Sequence, residues 1–443
     1  MKSRKTISVV GLGKLGMPIA ACIAARGFRV LGVDREPGII EAVNRGKAPF
    51  YEPELDELLQ GNRKRLSAST DLESAVRDSD ITFIVVSTPS GESGEISTEY
   101  VLNAIGQIGA VLKGEDRYHL VVLTSTVMPG DTEALVLPLL ERESGKRCGE
   151  GMGLCYSPEF FALGRVVYEF LNPDFILVGE SDTVAGATLA KFFGELCEND
   201  PVIRRMNFVN AELTKLAVNT YITTKITFAN TLARVCERMP GADVDEVTGA
   251  LALDGRIGGK YLKGAIAYGG PCFPRDDLAF CQLADRLGMP ARLARAVSDT
   301  NREQLEHLVS LVSSLLPEGG VLGVMGLAFK PDTAVVEESA GLELARRLSA
   351  VASVIVYDPA ATQNARAVLG ASVEYAGSAD DCVSRSDVLV LATPWKEFTR
   401  ISPEALRREG RKPVLVDCWR VLDRARYADV CEYVALGACR LKG

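Results

Sequence analysis

Three glycines near the start of the chain constrain its fold more than any other feature. The apolar run Thr6–Val10 leads directly into Gly11, Gly13 and Gly16, and an alanine-rich segment follows. A buried strand, a glycine turn and a helix in this order are typical of the first half of a βαβ unit, in which backbone amides at the turn face a phosphate. The pattern therefore predicts a dinucleotide-binding turn.

The acid that ends the next apolar segment indicates which dinucleotide is bound. Phe28–Asp34 reads as the second strand, and a carboxylate at its end bonds the ribose 2′-hydroxyl and repels a 2′-phosphate. Asp34 therefore favours NAD over NADP. Arg35 is an adjacent cation that softens this preference.

Short apolar strands and helical segments alternate through residues 1–205. The predicted strands are Ile81–Val86, Leu120–Thr124, Leu154–Ser157 and Phe175–Gly179, and the predicted helices include Pro18–Arg26, Glu54–Gln60 and Val101–Leu112. This alternation predicts a doubly wound parallel sheet, which would be an N-terminal Rossmann domain.

A helical block is expected over residues 206–316. The stretch from Asn210 to Arg238 contains neither Gly nor Pro and has apolar residues at helical spacing, so one long helix is predicted. Shorter helices are predicted at Val244–Ala252, Asp277–Leu287 and Arg292–Leu316. Because such a block commonly separates two α/β domains and supplies a dimer surface, a homodimer or a higher homo-oligomer is expected.

The first domain's pattern returns after the turn-rich linker Pro317–Gly320. Val321–Gly326 repeats the strand and glycine turn, and Val354–Asp358 again ends in an acid. The predicted fold is therefore α/β, with two Rossmann-like doubly wound domains joined by the helical block. Residues 317–443 lack a full GxGxxG and offer Lys330, which favours a nucleotide phosphate over a second dinucleotide.

Composition excludes several classes of partner and site. A net charge of −8 argues against nucleic acid and anionic membrane as partners, and no apolar stretch has the length of a spanning helix. The 11 cysteines lack a CxxC pair, so neither a disulfide framework nor a metal site is expected, and a reducing cytoplasm fits best. With only His119 and His307 present, acid–base work falls to other residue types.

One cysteine has a setting that the other ten lack. Cys272 follows Gly269 and Gly270, which allow close backbone approach to a ligand, and precedes Pro274, typical of a helix's first turn. A helix N-terminus favours the thiolate. A nucleophile that holds a carbonyl, in a chain with a hydride acceptor, indicates an oxidation carried past the aldehyde.

Other candidate site residues are marked by position. Lys215 and Asn219 lie one turn apart on the long predicted helix and could stabilise an alkoxide, although a solvated lysine and a packing asparagine have the same spacing. Glu159 and Thr126 each follow a predicted strand at the edge that faces the ligand crevice. A surface acid and a helix cap are the alternatives for these two.

Taken together, these segments resemble the nucleotide-sugar 6-dehydrogenases, of which the UDP-glucose and GDP-mannose 6-dehydrogenases are typical. The resemblance runs nearly end to end. It is carried by Gly11–Gly16, Ser87–Pro89, Ser125–Val127, Ser157–Phe160, Ala211–Lys215 with Asn219, Asp254–Gly258, Gly269–Asp276 and Gly326–Pro331. It implies a four-electron oxidation of a sugar CH2OH to a carboxylate with two NAD in sequence, through a thiohemiacetal and a thioester on Cys272.

The resemblance also implies the site residues. Catalytic roles fall on Cys272, Lys215, Asn219, Asp276, Glu159 and Thr126. Cofactor contacts fall on Gly11, Gly13, Leu15, Gly16, Asp34, Arg35, Thr88, Pro89, Thr126 and Arg275. Substrate contacts fall on Glu159, Phe160, Lys215, Asn219, Arg256, Tyr261, Leu262, Lys263, Gly269, Phe273, Lys330 and Arg420. In many members the arginine that matches Arg256 enters the partner subunit's site.

Four positions depart from the family pattern. Leu163 replaces an acid, Glu337 replaces an arginine, Arg275 replaces a lysine, and Trp419 replaces an arginine so that Arg420 is displaced by one. The favoured substrate is UDP-glucose, with UDP-N-acetylhexosamine or GDP-mannose as the alternative. A two-electron β-hydroxyacid dehydrogenase and a non-catalytic nucleotide sensor are the other classes considered.

Overall fold

The chain forms two compact bodies in a computed structural model, residues 1–217 and 218–443. The structure describes residues 5–91, 94–408 and 410–439. The ends of the first and third predicted domains, residues 1–4 and 440–443, lie outside the described residues. The predicted boundary at residue 316 falls inside the second body.

A largely parallel sheet forms the centre of the first body. Its strands are β1 Thr6–Val10, β2 Arg29–Val33, β3 Leu66–Ser69, β4 Ile81–Ile84, β5 His119–Leu123, β6 Arg147–Cys148, β7 Gly151–Tyr156, β8 Phe175–Glu180 and β9 Val202–Met206. Their order is β3-β2-β1-β4-β5-β7-β8-β9, with β6 also paired to β7. The order reverses beside β1, which places a ligand crevice outside the carboxyl ends of β1 and β4. Strand β8 runs antiparallel to β7.

Helices cover both faces of this sheet. They are α1 Gly16–Ala25, α2 Pro37–Arg45, α3 Leu55–Gly61, α4 Leu72–Arg77, α5 Glu99–Leu112, α6 Leu137–Ser144, α7 Val166–Leu171 and α8 Thr183–Leu196, and a π-helical turn at Thr132–Val136 precedes α6. Helix α1 is buried from Gly16 to Ala24, and its alanines let it pack closely on the sheet. A Cβ on Gly16 would lie 1.8 Å from the Gly11 carbonyl oxygen, so only glycine fits there.

The long predicted helix is α9, Phe208–Cys236, which begins in the first body and continues into the second. The second body then adds α10 Val244–Ala252, α11 Phe273–Arg286, α12 Arg292–Leu315, α13 Ala340–Leu348, α14 Thr362–Leu369, α15 Ala379–Arg385 and α16 Arg424–Tyr427, with 3-10 turns at Lys396–Arg400 and Pro403–Leu406. Its sheet contains β10 Val321–Met325, β11 Ser353–Tyr357, β12 Glu374–Tyr375, β13 Val388–Leu391, β14 Val414–Asp417 and β15 Glu432–Ala435.

The two sheets share one strand order. The second is fully parallel, in the order β12-β11-β10-β13-β14-β15, so β10 takes the position that β1 has in the first sheet. The predicted α/β class with two Rossmann-like sheets and a helical block is confirmed. Among the described residues, no helix is both long enough and apolar enough to cross a membrane.

The repeat extends to the glycine turns. Gly11 and Gly326 have φ of 92° and 99°, in the left-handed region that favours glycine. A Cβ on Gly341 would lie 2.2 Å from the Gly326 carbonyl oxygen, as one on Gly16 would against Gly11. The second glycine of this pair therefore exists in the C-terminal sheet, but a longer loop separates it from the first.

Candidate active site

The N-terminal glycine turn has room for a dinucleotide. No atom lies within 4 Å of a Cβ built on Gly13, so this residue borders open space. Helix α1 starts after Leu15 without a side-chain hydrogen bond to its first amides. In the first turn of α1 the Met17 amide donates to the Gly13 carbonyl at 3.1 Å and Pro18 has no N–H, so a phosphate would bind at the N–H groups of the glycine turn itself. The residues present fit NAD.

Asp34 lies beside this turn, and its carboxylate already accepts hydrogen bonds from the protein. Its Oδ2 accepts a hydrogen bond from the Leu12 amide at 2.7 Å, and its Oδ1 accepts one from the Glu36 amide at 3.0 Å. Each carboxylate oxygen has a second lone pair, so a ribose hydroxyl can still bond there. The Arg35 guanidinium lies 5.0 Å from the Tyr100 ring centre, on the exposed side of the same strand end.

Further predicted residues line the carboxyl edge of the first sheet. Thr88 and Thr126 are buried, and each follows the end of a strand, β4 and β5 respectively. The Pro89 carbonyl accepts from the Ser97 amide at 2.8 Å, which folds the loop after β4 back on itself. Ser125 ties the two loops together, because its hydroxyl donates to the Val86 carbonyl at 2.7 Å.

Glu159, Phe160 and Lys215 meet in the first body. Lys215 is 3% exposed, and its Nζ donates to the Glu159 carbonyl and lies 3.6 Å from Glu159 Oε1. The same Nζ lies 5.0 Å from the Phe160 ring centre. A buried ammonium between a carboxylate and an aromatic face can stabilise a developing oxyanion and move a proton.

Glu212 is a residue that the sequence reasoning missed. It is 0% exposed, and it accepts hydrogen bonds from the Gly130 amide at 2.6 Å and the Thr132 amide at 2.9 Å. Burial raises the pKa of this carboxyl, against the effect of its hydrogen bonds. It therefore fastens the loop after Thr126 to the helix of Lys215. The available signal was an acid three residues before Lys215 on the same helix.

The Cys272 loop belongs to the second body. Cys272 is the residue before α11, it is partly exposed, and no side chain caps the helix there. Gly269 is packed so closely that a Cβ would lie 1.9 Å from the Glu338 carbonyl oxygen, and the Gly270 amide donates to the Glu337 carbonyl at 3.1 Å. The predicted helix start with Pro274 in the first turn agrees with this geometry.

Asn219 and Asp276 are joined in the second body. Asn219 Nδ2 donates to Asp276 Oδ2 at 2.5 Å, and both side chains are buried. Arg275 Nε donates to the other oxygen, Oδ1, at 2.8 Å. Asp276 thus fixes the amide of Asn219 and is itself held by a cation one residue away.

The proposed substrate residues in this body fall into two groups. Phe273 stacks edge-on to the Tyr261 ring, with the ring centres 6.2 Å apart, and Tyr261 holds a left-handed φ of 62°. Leu262 is buried and Lys263 is exposed. The Phe329 ring packs on Gly270, since a Cβ built there would lie 2.6 Å from it. Lys330 Nζ lies 5.9 Å from the centre of the same ring, so Lys330 is close to the Cys272 loop.

Two arginines are not brought to this loop by the second body. The Arg256 side chain is 90% exposed and pairs with Asp254, two residues away, at 2.6 Å. Arg420 is 8% exposed and donates to both carboxylate oxygens of Asp245 at 2.8 Å and to the carbonyls of Gly264 and Leu436 at 2.6 Å. Its guanidinium is therefore bonded within the protein, next to the predicted substrate residue Lys263, and its contact with the substrate stays a prediction.

Most other thiols are poor nucleophiles. Burial raises the pKa of Cys148 and of Cys382 to about 12, and that of Cys197 and of Cys431 to about 11. Cys22, Cys155, Cys236, Cys281 and Cys418 are raised for the same reason. Thiols held in the protonated form do not attack a carbonyl at neutral pH.

Models of three domains match the chain in order. They are those of the UDP-glucose/GDP-mannose dehydrogenase family, with the NAD binding domain at residues 5–197, the central domain at 209–303 and the UDP binding domain at 323–424.

Relatives of this family are similar over nearly the whole chain. The UDP-glucose 6-dehydrogenase AglM of Haloferax volcanii is 37% identical over 429 residues, covering 96% of this chain and 98% of that protein. The GDP-mannose 6-dehydrogenase of Pseudomonas aeruginosa is 34% identical and covers 87% of this chain and 90% of that protein. A solved UDP-glucose dehydrogenase from Pyrobaculum islandicum superposes with a TM-score of 0.89 at 35% identity, covering 99% of each chain. The chain therefore belongs to the UDP-glucose/GDP-mannose dehydrogenase family, and it is an NAD-dependent nucleotide-sugar 6-dehydrogenase.

Proposed function

We propose that the chain oxidises UDP-glucose to UDP-glucuronate, with Cys272 as a covalent nucleophile. The observation that carries this proposal is Cys272 at the uncapped start of α11, one turn before the buried Asn219–Asp276 pair. The substrate assignment is supported by relatives named UDP-glucose 6-dehydrogenases. GDP-mannose and UDP-N-acetylhexosamine are the alternative substrates.

Bound NAD accepts one hydride in each of the two oxidation steps. In the first, Glu159 takes the proton of the C6 hydroxyl, and the buried ammonium of Lys215 stabilises the alkoxide. Thr126, which Glu212 holds in place through the adjoining loop, assists the proton transfer. These roles use charges that the first body already keeps buried together.

In the second stage the sulfur of Cys272 adds to the aldehyde carbon and a proton goes to the oxygen, which gives a thiohemiacetal. Loss of a hydride and a proton converts it to a thioester, and water then displaces the thiolate. Asn219 and Asp276 position that water and stabilise the oxyanion. In total RCH2OH, two NAD⁺ and water give RCOO⁻, two NADH and three protons.

The substrate panel tests both parts of this proposal. UDP-, GDP-, TDP- and CDP-sugars are assayed for NADH release, and UDP-glucose should give the highest kcat/KM and two NADH per sugar. A higher kcat/KM for GDP-mannose or a UDP-N-acetylhexosamine would contradict the substrate assignment but not the reaction class. A yield of one NADH per sugar would instead favour a two-electron oxidation of the β-hydroxyacid dehydrogenase type. The absence of NADH formation would favour a non-catalytic nucleotide sensor.

Cys272→Ala tests the covalent step. It should abolish acid formation, since no thiohemiacetal can form, whereas Cys148→Ala should keep wild-type acid formation because that half-buried thiol is protonated. Full acid production by Cys272→Ala would contradict the proposal.

We also propose a homodimer in which Arg256 serves the partner's site. The exposed side chain of Arg256 and the exposed apolar residues of α9 support this arrangement. If subunits of Arg256→Ala and Cys272→Ala protein are exchanged, heterodimers should recover activity, because one site then has both residues. No recovery despite demonstrated exchange would contradict a shared site.

Two further assignments stay proposals. Three domains, 1–205, 206–316 and 317–443, are supported by the three family models, which match within those ranges. A cytoplasmic location is supported by the cysteines, which form no disulfide among the described residues.

A further inference from the structure

A second buried acid, Asp277, follows Asp276 and has no role in the chemistry above. It is 0% exposed. The Thr223 hydroxyl donates to its Oδ1 at 2.9 Å, and the Tyr268 hydroxyl donates to its Oδ2 at 2.7 Å. The carboxylate thereby joins α9, α11 and the segment that leads into the Cys272 loop.

Tyr268 is the last residue before the two glycines of that loop. Its amide donates to Asn301 Oδ1 at 2.9 Å, and its carbonyl accepts from Asn301 Nδ2 at 3.0 Å. Its ring also lies edge-on to Phe273, at 6.2 Å between centres. Asn301 on α12 thus holds the Tyr268 backbone, and Asp277 on α11 holds the end of its side chain.

This anchor matters because the loop beyond it is short and contains glycine. Gly269 and Gly270 add little torsional restraint of their own, and Cys272 follows after only one more residue. On one side the loop packs against the Glu338 carbonyl and the Phe329 ring. At its other end the loop is held by Tyr268, whose hydroxyl donates to Asp277.

The ionisation of Asp277 controls the strength of this tie. Burial raises the pKa of Asp277 to about 6, the hydrogen bonds of Tyr268 and Thr223 oppose that shift, and the charge of Asp276 adds to it. The groups that face Asp277 or its tyrosine are Thr220 and Thr223 from α9, Asp276 and Cys281 from α11, Tyr268 from the loop and Ser298 from α12. As a carboxylate Asp277 accepts a charge-assisted hydrogen bond from the Tyr268 hydroxyl, whereas the protonated acid is neutral and holds that hydroxyl through a weaker hydrogen bond.

We propose that Asp277 is a positioning residue that holds the Cys272 loop through the Tyr268 hydroxyl, so that protonation of Asp277 loosens the loop and releases the aldehyde before capture. The inference rests on the proposed function, because it takes Cys272 to be the nucleophile. Asp277 itself touches no reacting atom.

The test measures acid and free aldehyde between pH 5 and 8, with semicarbazide trapping the aldehyde. In the wild type, the acid formed per NADH should fall below a midpoint near pH 6 while trapped aldehyde rises. Asp277→Asn should leak aldehyde at every pH and lose roughly tenfold or more in acid formation, since a small misplacement of a reacting group has effects of that size. The KM for NAD should not change.

Tyr268→Phe provides an independent variant that keeps the charge of Asp277 and removes one hydroxyl. It should leak aldehyde to the same extent and lose the pH dependence, and the double variant should be no worse than either single one. Asp285→Asn, an exposed acid at the far end of α11, is the matched control and should behave as wild type.

Wild-type product ratios at all pH values in Asp277→Asn or Tyr268→Phe, or multiplicative losses in the double variant, would overturn the proposal. If Asp277→Asn does not fold, Tyr268→Phe alone decides. Cys272→Ala distinguishes failure of this inference from failure of the proposed function. Acid formation by Cys272→Ala would contradict the proposed function, whereas retention of the aldehyde by Tyr268→Phe would contradict only the role of the Asp277–Tyr268 hydrogen bond.

Discussion

Asp34 makes two hydrogen bonds to backbone amides of its own chain, at Leu12 and Glu36, before any ligand arrives. The sequence predicted its ligand role from position but could not reveal the tie to the glycine turn, because that bond depends on how two strand ends meet. The same holds for Glu212, whose partners are backbone amides some 80 residues away in sequence. A side chain that bonds backbone amides of a distant segment leaves no pattern in the local sequence.

Asp34→Ala should raise the KM for NAD and narrow the preference over NADP, because a hydrogen bond and a repulsive charge are lost together. Charge-assisted hydrogen bonds contribute about 1.5–3 kcal/mol, which corresponds to roughly a tenfold or larger change in KM. Steady-state kinetics with both cofactors provide the measurement. Asp56→Ala, which removes a comparable bond to the Ala48 amide, is the control. Equal kcat/KM for NAD and NADP in the wild type would contradict the role of Asp34.

Trp419→Ala should raise the KM for the nucleotide sugar and leave kcat within about twofold, the effect expected of uniform binding. Trp419 follows β14 at the carboxyl edge of the second sheet, where its indole N–H donates to the Ala392 carbonyl at 2.8 Å. Trp419→Phe, which keeps a ring but loses that bond, separates stacking from anchoring. An altered ranking among sugars would instead show that the indole shapes the sugar pocket.

At the scale of elements, helix α9 shows what the sequence predicts well and what it does not. The absence of Gly and Pro predicted a helix over Asn210–Arg238, and the structure has it at Phe208–Cys236. The early start follows from Asn207, whose side-chain oxygen accepts from the Asn210 amide at 3.2 Å. Periodicity thus identifies the helix, whereas a local side-chain bond sets its end.

Pairing between distant strands was harder to predict. The run at Phe175–Gly179 predicted strand β8 almost to the residue, yet nothing in an apolar run says that β8 lies antiparallel to β7. In the site, residues on one segment, such as Glu159 and Phe160, could be grouped from sequence. The Asp277–Tyr268 tie could not, because it depends on how three separate segments pack.

Phe228→Glu should convert the proposed dimer to a monomer. Tyr221, Phe228 and Val235 recur every seven residues along α9 and are 65%, 52% and 46% exposed, an apolar stripe of the kind that pairs helices. A charge in its centre would be buried unpaired in the dimer. Sedimentation velocity gives the mass, and Leu293→Glu, at an exposed apolar position on α12, is the control. A wild-type mass for Phe228→Glu would exclude this surface.

Gly269→Ala should lower kcat for acid formation by roughly a hundredfold or more and leave NAD binding intact, because misplacement by about an ångström has effects of that size. The added Cβ would lie 1.9 Å from the Glu338 carbonyl oxygen, so the loop must shift. Gly249→Ala is the matched control, since a Cβ there meets nothing within 4 Å and alanine favours the helix. Activity of Gly269→Ala equal to that of the control would show that the loop has room to move.

For the whole molecule, two buried groups push stability in opposite directions as the pH falls. Burial lowers the pKa of His119 to about 4, and its ring nitrogen lies 2.7 Å from the Thr82 hydroxyl in the first sheet. Burial raises the pKa of Asp277 to about 6. As the pH falls from the ordinary pKa of histidine to 4, the unfolded chain binds more protons at His119 than the folded chain does, so the free energy of unfolding falls. As the pH falls from 6 to the ordinary pKa of aspartate, the folded chain binds more protons at Asp277, so the free energy of unfolding rises.

His119→Gln should therefore remove an acid-dependent loss of stability that reaches about 3 kcal/mol near pH 4, on the basis of 1.36 kcal/mol per pKa unit. Urea unfolding at half-unit steps from pH 4 to 7 provides the measurement. Asp277→Asn is the comparison, because it should steepen the loss. Parallel curves for wild type and His119→Gln would mean that His119 has the same pKa in the folded and the unfolded protein.

The paired glycine turns make the molecule a modular scaffold from which a new receptor can be engineered. Four residues separate Gly11 from Gly16, whereas residues 327–340 separate Gly326 from Gly341, and there Ser339 caps α13 by accepting from the Leu342 amide. Asp358, the counterpart of Asp34, already accepts from the amides of Leu327, Ala328, Ala360 and Ala361 and from Trp395 Nε1. Grafting the short N-terminal turn in place of residues 327–340, with Trp395 replaced, would open the start of α13 and turn the same sheet into a second dinucleotide receptor.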